Sequence, residues 1–293
     1  MKKITRIIAV TLLITAFTAC KKEDAKPVET PVTEVAAPAH KIVSLNGAIT
    51  EIVSALGHEK ELVGVDVTST YPESVKQTAK DLGHVSSISI ESVIALQPTM
   101  ILATAKDLTP DLIAKIKSAG IEAHIFEQTV SETGTKELIK EVAAVLHNTE
   151  YKALQDKIDT DLKGVQALKT KPKVLFIYAR GAGTLMVAGK NTPVEKMIAL
   201  AGGENATLSF EDYKPLTPEA VIQGNPDAIL MFTSGLGSLG GPAGVLKIPG
   251  IDKTKAGKNK RIIAMDGGLL SGFGPRLGEA AKELNTLLLE NAK

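Results

Sequence analysis

A pattern that occurs twice in the chain constrains the possible folds more than any other feature. Glu91 is followed seven residues later by Pro98 and then by an Ile-Leu pair, and Glu219 is followed at the same spacing by Pro226 and a second Ile-Leu pair. In both copies a hydroxyl residue stands two positions before the glutamate. A repeat of this length predicts that the chain contains two related units.

A second, shorter repetition supports this interpretation. Glu51 and Glu195 each precede a leucine by five residues, and a glycine follows that leucine within two positions in both copies. Two repetitions in the same order along the chain favour two related lobes over coincidence.

Short β-branched and aliphatic runs alternate with stretches of helical spacing in both halves of the chain. The predicted strands are residues 42–45, 62–65, 100–103 and 124–126, then 174–178, 228–232 and 261–265. The predicted helices are residues 50–56, 90–96 and 111–119, then 192–200, 217–223 and 278–289. Such alternation implies parallel sheets with helices on their faces. We therefore predict an α/β protein with two Rossmann-like lobes.

Residues 131–171 form a stretch of helical spacing without proline between the two halves. Leu138 and Val142 belong to one apolar stripe, and Asn148 or Thr149 is suited to cap a second helix. A helical bridge of this size would hold a lobe of residues 41–130 and a lobe of residues 172–293 at a nearly fixed separation. The alternative is a surface helix of one large domain.

Residues 1–20 are typical of an export signal. Lys2, Lys3 and Arg6 precede an apolar run too short to span a bilayer, and small residues then lead to Cys20, the only cysteine. The segment resembles a bacterial lipoprotein signal, in which the cysteine is lipidated and becomes the first mature residue. An ordinary cleaved signal with a chance cysteine is the alternative.

Residues 21–40 combine Lys, Glu, Asp, Pro and Thr without an apolar period, which predicts a disordered tether. Within it, Lys22-Glu23-Asp24 resembles the surface-export signal of some Gram-negative lipoproteins, and a merely solvated charge run is the alternative. We expect a lipid-anchored protein on the periplasmic side of the envelope, with surface exposure as an option.

The charge balance argues against a nucleic-acid partner. Removing residues 1–20 removes three basic residues and no acidic ones, which leaves 31 basic against 33 acidic residues and a formal charge of −2, whereas nucleic-acid binding needs a basic excess. Lipidation of Cys20 would leave no thiol for a disulfide or a zinc–thiolate site. No later apolar run is long enough for a membrane helix, so the lipid is the expected membrane contact.

Several longer motifs resemble those of a known protein family. They are Ser44-Leu45-Asn46-Gly47 with Thr50-Glu51, Gly64-Val65-Asp66-Val67-Thr68-Ser69-Thr70-Tyr71-Pro72-Glu73, Tyr178-Ala179-Arg180-Gly181-Ala182-Gly183-Thr184, Val187-Ala188-Gly189-Lys190-Asn191-Thr192, Tyr213-Lys214-Pro215-Leu216 and Gly272-Phe273-Gly274-Pro275-Arg276. With the lipoprotein signal, they resemble the class III periplasmic substrate-binding proteins of importers for iron siderophores, cobalamin and haem. The details resemble the haem-binding branch. The resemblance implies a protein that captures ferric haem between two lobes and delivers it to an ABC permease.

Tyr71 is the predicted axial ligand of the haem iron. It follows a predicted strand, and Pro72 restricts it to an extended backbone, so the phenol should project from a loop at a strand end. A phenolate oxygen is a hard donor that suits ferric iron, and tyrosine is an established haem ligand. The resemblance implies this role. Without it, a Tyr-Pro that packs its ring at the base of a loop would be the preferred interpretation.

The two propionates of haem call for positive partners. Arg180, Lys190 and Arg276 are the candidates, with a solvent-facing surface charge as the alternative for each. Tyr213 is a candidate second aromatic residue of the cleft, although local packing is as good an explanation. His84 follows a glycine near the predicted cleft and is the best histidine for a second iron contact.

Glu91 and Glu219 are the second functional pair. Each lies near the first turn of its predicted helix, where an acidic side chain complements the helix dipole. The resemblance implies a further role, in which one glutamate per lobe docks onto arginines of the permease dimer. Two separated charges would fix the orientation on a two-fold partner.

Three functions were compared on these residues. Haem binding by a non-enzymatic monomer is the main prediction, and a siderophore- or cobalamin-binding protein of the same importer cluster is the alternative. A metal-centred enzyme on a related fold would need clustered Cys or His ligands, which the sequence does not offer.

Overall fold

The computed structural model describes residues 40–183 and 185–290. Cys20, the predicted signal and the predicted tether up to residue 39 lie outside the described residues. In the first half the elements are β1 (Ile42–Ser44), α1 (Gly47–Ala55), β2 (Leu62–Val65), α2 (Val75–Thr78), β3 (Lys80–Asp81), α3 (Ile90–Ile94), β4 (Met100–Thr104), α4 (Pro110–Ser118) and β5 (Glu122–Phe126). Next come α5 (Glu132–Val145) and α6 (Tyr151–Lys163).

The second half contains more strands than the first. Its elements are β6 (Lys173–Ala179), β7 (Leu185–Ala188), α7 (Pro193–Leu200), β8 (Glu204–Asn205), β9 (Tyr213–Pro215), α8 (Pro218–Gly224), β10 (Ala228–Phe232), α9 (Thr233–Ser238), α10 (Pro242–Val245), α11 (Lys255–Lys258), β11 (Ile262–Met265), α12 (Gly267–Ser271) and α13 (Leu277–Glu290). Short 3₁₀ turns cover Glu59–Glu61, Val85–Ser87, Ala105–Asp107 and Ile251–Lys253. Among the described residues, no helix is both long enough and apolar enough to cross a bilayer.

The first sheet is parallel throughout, with the strand order β3-β2-β1-β4-β5. Its central strands β1 and β4 are buried along their whole length, as their continuous apolar sequences predict. The Asn46 side chain accepts hydrogen bonds from the amides of Ala48 (2.9 Å) and Ile49 (3.2 Å) and so begins α1 directly after β1. The start of α1 therefore lies at the edge of the sheet where its parallel strands end.

The second sheet is mixed. Its main order is β11-β10-β6-β7-β9, and β8 pairs with β6 on the side of β7. Strands β10, β11, β6 and β8 are parallel, whereas β7 pairs antiparallel with both β6 and β9. Five residues separate β6 from β7, and a parallel pair would need a crossover of a dozen residues or more. The predicted α/β class with two sheets is confirmed, but the parallel pairing predicted for the second sheet is wrong at β7 and β9.

Two helices, rather than one, cover the predicted bridge. Helix α5 packs against α1 of the first half, and α6 packs against α13 of the second half. Between them His147 adopts a positive φ of 52°, and Asn148 donates to the Leu56 carbonyl (2.9 Å) while accepting from the Glu150 amide (2.8 Å). The N-cap of α6 is Glu150, which makes no side-chain cap hydrogen bond, so the cap predicted at Asn148 or Thr149 is wrong. Asn148 instead attaches the break between the two helices to the first half.

One hydrophobic cluster runs through both halves. It contains Ile42 and Leu102 of the first sheet, Val142 of α5, Phe176 of the second sheet and Leu284 of α13, all of them fully buried. Smaller clusters fill the outer faces of each sheet. We refer to the sheet of β1–β5 with its helices as the N-terminal lobe and to that of β6–β11 with its helices as the C-terminal lobe.

Candidate ligand-binding cleft

A cavity of about 380 Å³ lies between the two lobes. Its lining comes from the carboxyl ends of β2, β4 and β10 and from the loops and helices that follow the strands: Asn46, Gly47, Ala48, Glu51, Asp66, Thr68, Thr70, His84, Val85, Lys106, Asp107, Gln128, Phe232, Gly267, Gly268, Ser271 and Gly272. This is the edge at which open α/β sheets bind ligands, and the volume is in the usual range for a ligand site.

Asp66 organises the loop that leads from β2 to Tyr71. Its buried carboxylate accepts hydrogen bonds from the amide (3.1 Å) and hydroxyl (2.6 Å) of Thr68 and from the hydroxyl of Ser69 (2.8 Å). The Thr68 hydroxyl in turn accepts from the Gly47 amide (2.9 Å) at the start of α1. Burial raises the pKa of Asp66, and the three hydrogen bonds act in the opposite direction. The sequence Asp66 to Ser69 therefore fixes the loop before Tyr71 is reached.

Tyr71 directly follows Thr70, which lines this cavity, and 47% of its surface is exposed. The peptide bond to Pro72 is cis, and the guanidinium carbon of Arg276 lies 3.7 Å from the centroid of the Tyr71 ring. A guanidinium over an aromatic face is attracted to the negative potential of the ring. Arg276 of the C-terminal lobe thus covers one face of the ring, and about half of the Tyr71 side chain is exposed to solvent.

Arg276 is itself held by Glu51 of α1. Its Nε lies 3.0 Å and its Nη2 lies 2.5 Å from the two carboxylate oxygens, and both side chains are nearly buried. Burial raises the pKa of Glu51, although the hydrogen bonds and charge of Arg276 act in the opposite direction. Burial acts to lower the pKa of Arg276, but the hydrogen bonds and charge of Glu51 outweigh it and raise that pKa. Glu51, Arg276 and Tyr71 therefore form one unit that spans the two lobes. The pairing was not predicted from the sequence, although a glutamate among the buried residues of α1 required a partner.

His84 lines the cavity, but its ring is already engaged. Its Nδ1 lies 2.9 Å from the Ser86 hydroxyl and accepts a hydrogen bond from the Ser86 amide (3.3 Å). Because an amide can only donate, Nδ1 carries the lone pair and the proton of the neutral ring lies on Nε2. The histidine thus presents an N–H group to the cleft, whereas the predicted iron contact would need the other tautomer.

Arg180 lies at the cleft edge of the C-terminal lobe, directly after β6. It is exposed, and its guanidinium carbon lies 5.8 Å from the centroid of the Tyr178 ring. Tyr178 meets Phe232 edge to face with centroids 6.1 Å apart, and Phe232 lines the cavity. The placement is compatible with a role for Arg180 at the edge of a ligand.

The structure places the two other predicted cleft residues differently. Tyr213 is half-buried and packs edge-on against Phe176 at 6.5 Å, and burial raises its pKa to about 12. Phe176 in turn meets Phe232, which lines the cavity, and a role for Tyr213 in the cleft stays a prediction. Lys190 follows β7, which runs antiparallel to β6, and so lies beyond the end of β7 that points away from the cleft.

Glu91 and Glu219 lie fully exposed in the first turns of α3 and α8. The Ser89 hydroxyl donates to Glu91 at 2.5 Å, and this hydrogen bond lowers the pKa of Glu91. Within residues 40–183 and 185–290, no group of three His, Cys, Asp or Glu side chains is arranged to hold a metal ion.

Residues 42–268 match the periplasmic binding protein family. The chain belongs to this family. The match covers both sheets and the cleft between them.

The relatives of this binding protein include a haem-binding protein, a substrate-binding lipoprotein and a vitamin B12-binding protein. A solved structure of the periplasmic haem-binding protein RhuT from Roseiflexus sp. RS-1, in its apo form, superposes with a TM-score of 0.83 at 37% identity and covers 87% of this chain and 100% of RhuT. The ABC transporter substrate-binding lipoprotein YvrC of Bacillus subtilis is 32% identical over 83% of this chain and 78% of its own length. The vitamin B12-binding protein of Vibrio campbellii is 29% identical over 66% of this chain and 70% of its own.

Proposed function

We propose that this periplasmic binding protein captures ferric haem at the mouth of the inter-lobe cleft and delivers it to an ABC importer. The observation that carries the proposal is the half-exposed phenol of Tyr71, which directly follows the cavity-lining Thr70 and has the Arg276 guanidinium over one face of its ring. The solved structures that the chain resembles at 30–37% identity are those of haem-binding proteins, which supports the same cargo.

Tyr71 would bind the iron through its phenolate oxygen. Ferric haem accepts tyrosinate as an axial ligand, and an anionic ring would strengthen the contact with Arg276. Because Glu51 holds Arg276 from the opposite side, the cation stays in place whether or not the iron is bound. The apolar face of the porphyrin would lie beside Tyr71 and the exposed side chain of Val67.

The edge of the porphyrin would meet donors from both lobes. His84 offers an Nε2 proton and Lys106 an ammonium group at the cavity wall, and Arg180 lies at the end of β6. A propionate accepts hydrogen bonds from all three groups. We therefore assign His84 to the propionates rather than to the iron.

Delivery would use the acidic pair Glu91 and Glu219, one on each lobe, against basic groups of the permease dimer. The protein would act as a carrier and not as an enzyme, as a monomer and without nucleic acid. A lipid on Cys20 would hold it at the membrane, which agrees with the description of YvrC as a lipoprotein.

A ligand panel tests the cargo. The purified protein is titrated with haemin, iron-free protoporphyrin IX, cyanocobalamin and a ferric hydroxamate siderophore, and absorption spectra are recorded. We expect tight binding of haemin alone, with the spectrum of a tyrosinate-ligated ferric haem. Tighter binding of cyanocobalamin would transfer the chain to the vitamin B12 branch. Equal binding of protoporphyrin IX would show that no iron ligand is used.

A further inference from the structure

The repeated sequence pattern corresponds to a repeated structure at α3 and α8. The hydroxyls of Ser89 and Thr217 cap the two helices by accepting from the amides three residues on, at 3.3 and 3.2 Å. Val93 and Val221 are buried at equivalent positions. Each helix is followed by a residue with positive φ, Gln97 at 51° and Asn225 at 39°, and then by a proline that leads into a buried strand.

Each copy of this repeat exposes one large apolar side chain that the packing of its lobe does not explain. Six large apolar side chains are more than a third exposed among residues 40–183 and 185–290, namely Val67, Tyr71, Ile94, Ile125, Leu208 and Ile222. Val67 and Tyr71 lie in the loop after β2, next to residues that line the cavity. Ile94 and Ile222, exposed by 45% and 42%, are the two that occupy equivalent positions of the repeat.

The fold does not require an isoleucine at these two positions. The neighbouring Val93 and Val221 already supply the buried contact of each helix with its lobe, and β-branched residues are not favoured at exposed helical positions. Each isoleucine stands three residues after a glutamate, so the two side chains lie on the same face of the helix, one turn apart. Glu91–Ile94 and Glu219–Ile222 are thus two copies of one acidic and apolar surface.

We propose that Ile94 and Ile222 are the apolar anchors with which the protein docks onto its permease, each beside the glutamate of its lobe. This inference rests on the proposed function for its partner but does not depend on the cargo. The partner is expected to repeat one feature twice, a basic group next to an apolar depression, because a two-fold dimer offers the same surface to both lobes.

The topology places both copies at comparable places on the molecule. Helices α3 and α8 directly precede β4 and β10, and each connects two strands that run in the same direction, so both begin at the edge where the strands end. The Ser89 hydroxyl donates to Glu91 and lowers the pKa of that carboxyl group. Acids of this kind steer association and make it salt-dependent, whereas a buried apolar side chain slows dissociation and is insensitive to salt.

The test compares two double variants of the full chain. Ile94→Ser/Ile222→Ser removes the proposed anchors, and Ile125→Ser/Leu208→Ser removes one exposed apolar side chain from each lobe outside the repeat. Binding to the cognate permease–ATPase complex in lipid nanodiscs is measured by surface plasmon resonance at two salt concentrations, with and without haemin. We expect the anchor variant to bind roughly 100-fold more weakly, about ten-fold per isoleucine, through faster dissociation. The control should change by less than about two-fold.

The outcomes separate the two proposals. The anchor variant should retain the haemin affinity and melting temperature of the parent, and Glu91→Gln/Glu219→Gln should lower the salt dependence, which the anchor variant leaves unchanged. Docking of the anchor variant at parental strength, or an equal loss in the control, would overturn the docking surface while leaving haem binding untouched. A parent that binds no haemin but loses docking in the anchor variant would overturn the cargo alone.

Discussion

Helices α3 and α8 match position for position, whereas the cleft edges of the two lobes differ. The N-terminal lobe brings the carboxylate-fixed loop of Asp66 and the side chain of His84 to the cleft from a fully parallel sheet. The C-terminal lobe brings Phe232, backed by Tyr178, from a sheet that contains an antiparallel pair. A surface that meets a two-fold partner is expected to repeat, while a surface that meets one asymmetric ligand is free to diverge.

The glutamates of the shorter repeat give the strongest test of this divergence. Glu51 forms a nearly buried bidentate pair with Arg276, while Glu195 meets only its neighbour Lys196 at 3.3 Å. We expect Glu51→Ala to lower the free energy of unfolding by about 3–5 kcal/mol, because Arg276 is left buried and unpaired. Glu195→Ala should cost about 1 kcal/mol or less. Urea unfolding measures both values.

A double variant controls for the lost side chain. Glu51→Gln/Arg276→Met removes both charges and should recover most of the stability lost in Glu51→Ala. Equal losses in Glu51→Ala and Glu195→Ala would mean that the two lobes use the repeated glutamate in the same way.

The tyrosines of the two lobes should differ in haemin binding. Tyr71→Phe is expected to lower the affinity roughly 100-fold, or about 2.7 kcal/mol, and to remove the tyrosinate bands, because the oxygen donor is lost. Tyr213→Phe should bind as the parent does, because its ring packs on Phe176. Absorption titrations measure both, and an unchanged spectrum in Tyr71→Phe would remove that residue from the site.

Tyr213 should instead affect the free energy of unfolding at alkaline pH. Its folded-state pKa of about 12 lies above the ordinary value of 10.0, so its contribution to stability is complete below pH 10 and is lost as the pH rises towards 12. By pH 11 the parent should have lost about 1.4 kcal/mol more than Tyr213→Phe. Unfolding at pH 9 and pH 11 measures the difference, with Tyr151→Phe as the control for loss of a phenol. An identical pH dependence in Tyr213→Phe and the parent would contradict the buried placement.

The helix caps should show the smallest effects and the closest agreement between lobes. Ser89→Ala and Thr217→Ala each remove one hydrogen bond to a helix amide and should cost about 1 kcal/mol apiece. Chemical denaturation measures both variants. Costs that differ by more than about 1 kcal/mol would indicate that the two helices are similar in sequence but not in energetics.

The sequence predicts the regular part of this fold well. The seven strands inferred from aliphatic runs are present as β1, β2, β4, β5, β6, β10 and β11, and Thr217-Pro218 begins a helix as hydroxyl-proline pairs should. These features depend on neighbours within a few residues, which periodicity detects. The strands that were not predicted are β3, β7, β8 and β9, which are two to four residues long. The antiparallel pairing of β7 with β6 and β9 is decided by the short connection after β6 and by which edge of the sheet is free.

The sequence predicts the site only where the position of a side chain depends on its neighbours in the chain. Tyr71-Pro72 follows β2 with an exposed phenol as predicted, and its role as iron ligand stays a prediction. The cation over the ring could not be assigned, because Glu51 and Arg276 lie 225 residues apart and their contact depends on how the lobes come together. The position of Lys190 could not be predicted either, because it depends on the direction of β7.

Because the hydrophobic interior passes without a break from the first sheet through α5 and α6 to the second, we expect the two lobes to unfold together. A calorimetric scan should therefore contain a single transition. In the cell envelope, a protease that opens one lobe would expose both. Half-intact molecules that occupy the importer without cargo should then not accumulate.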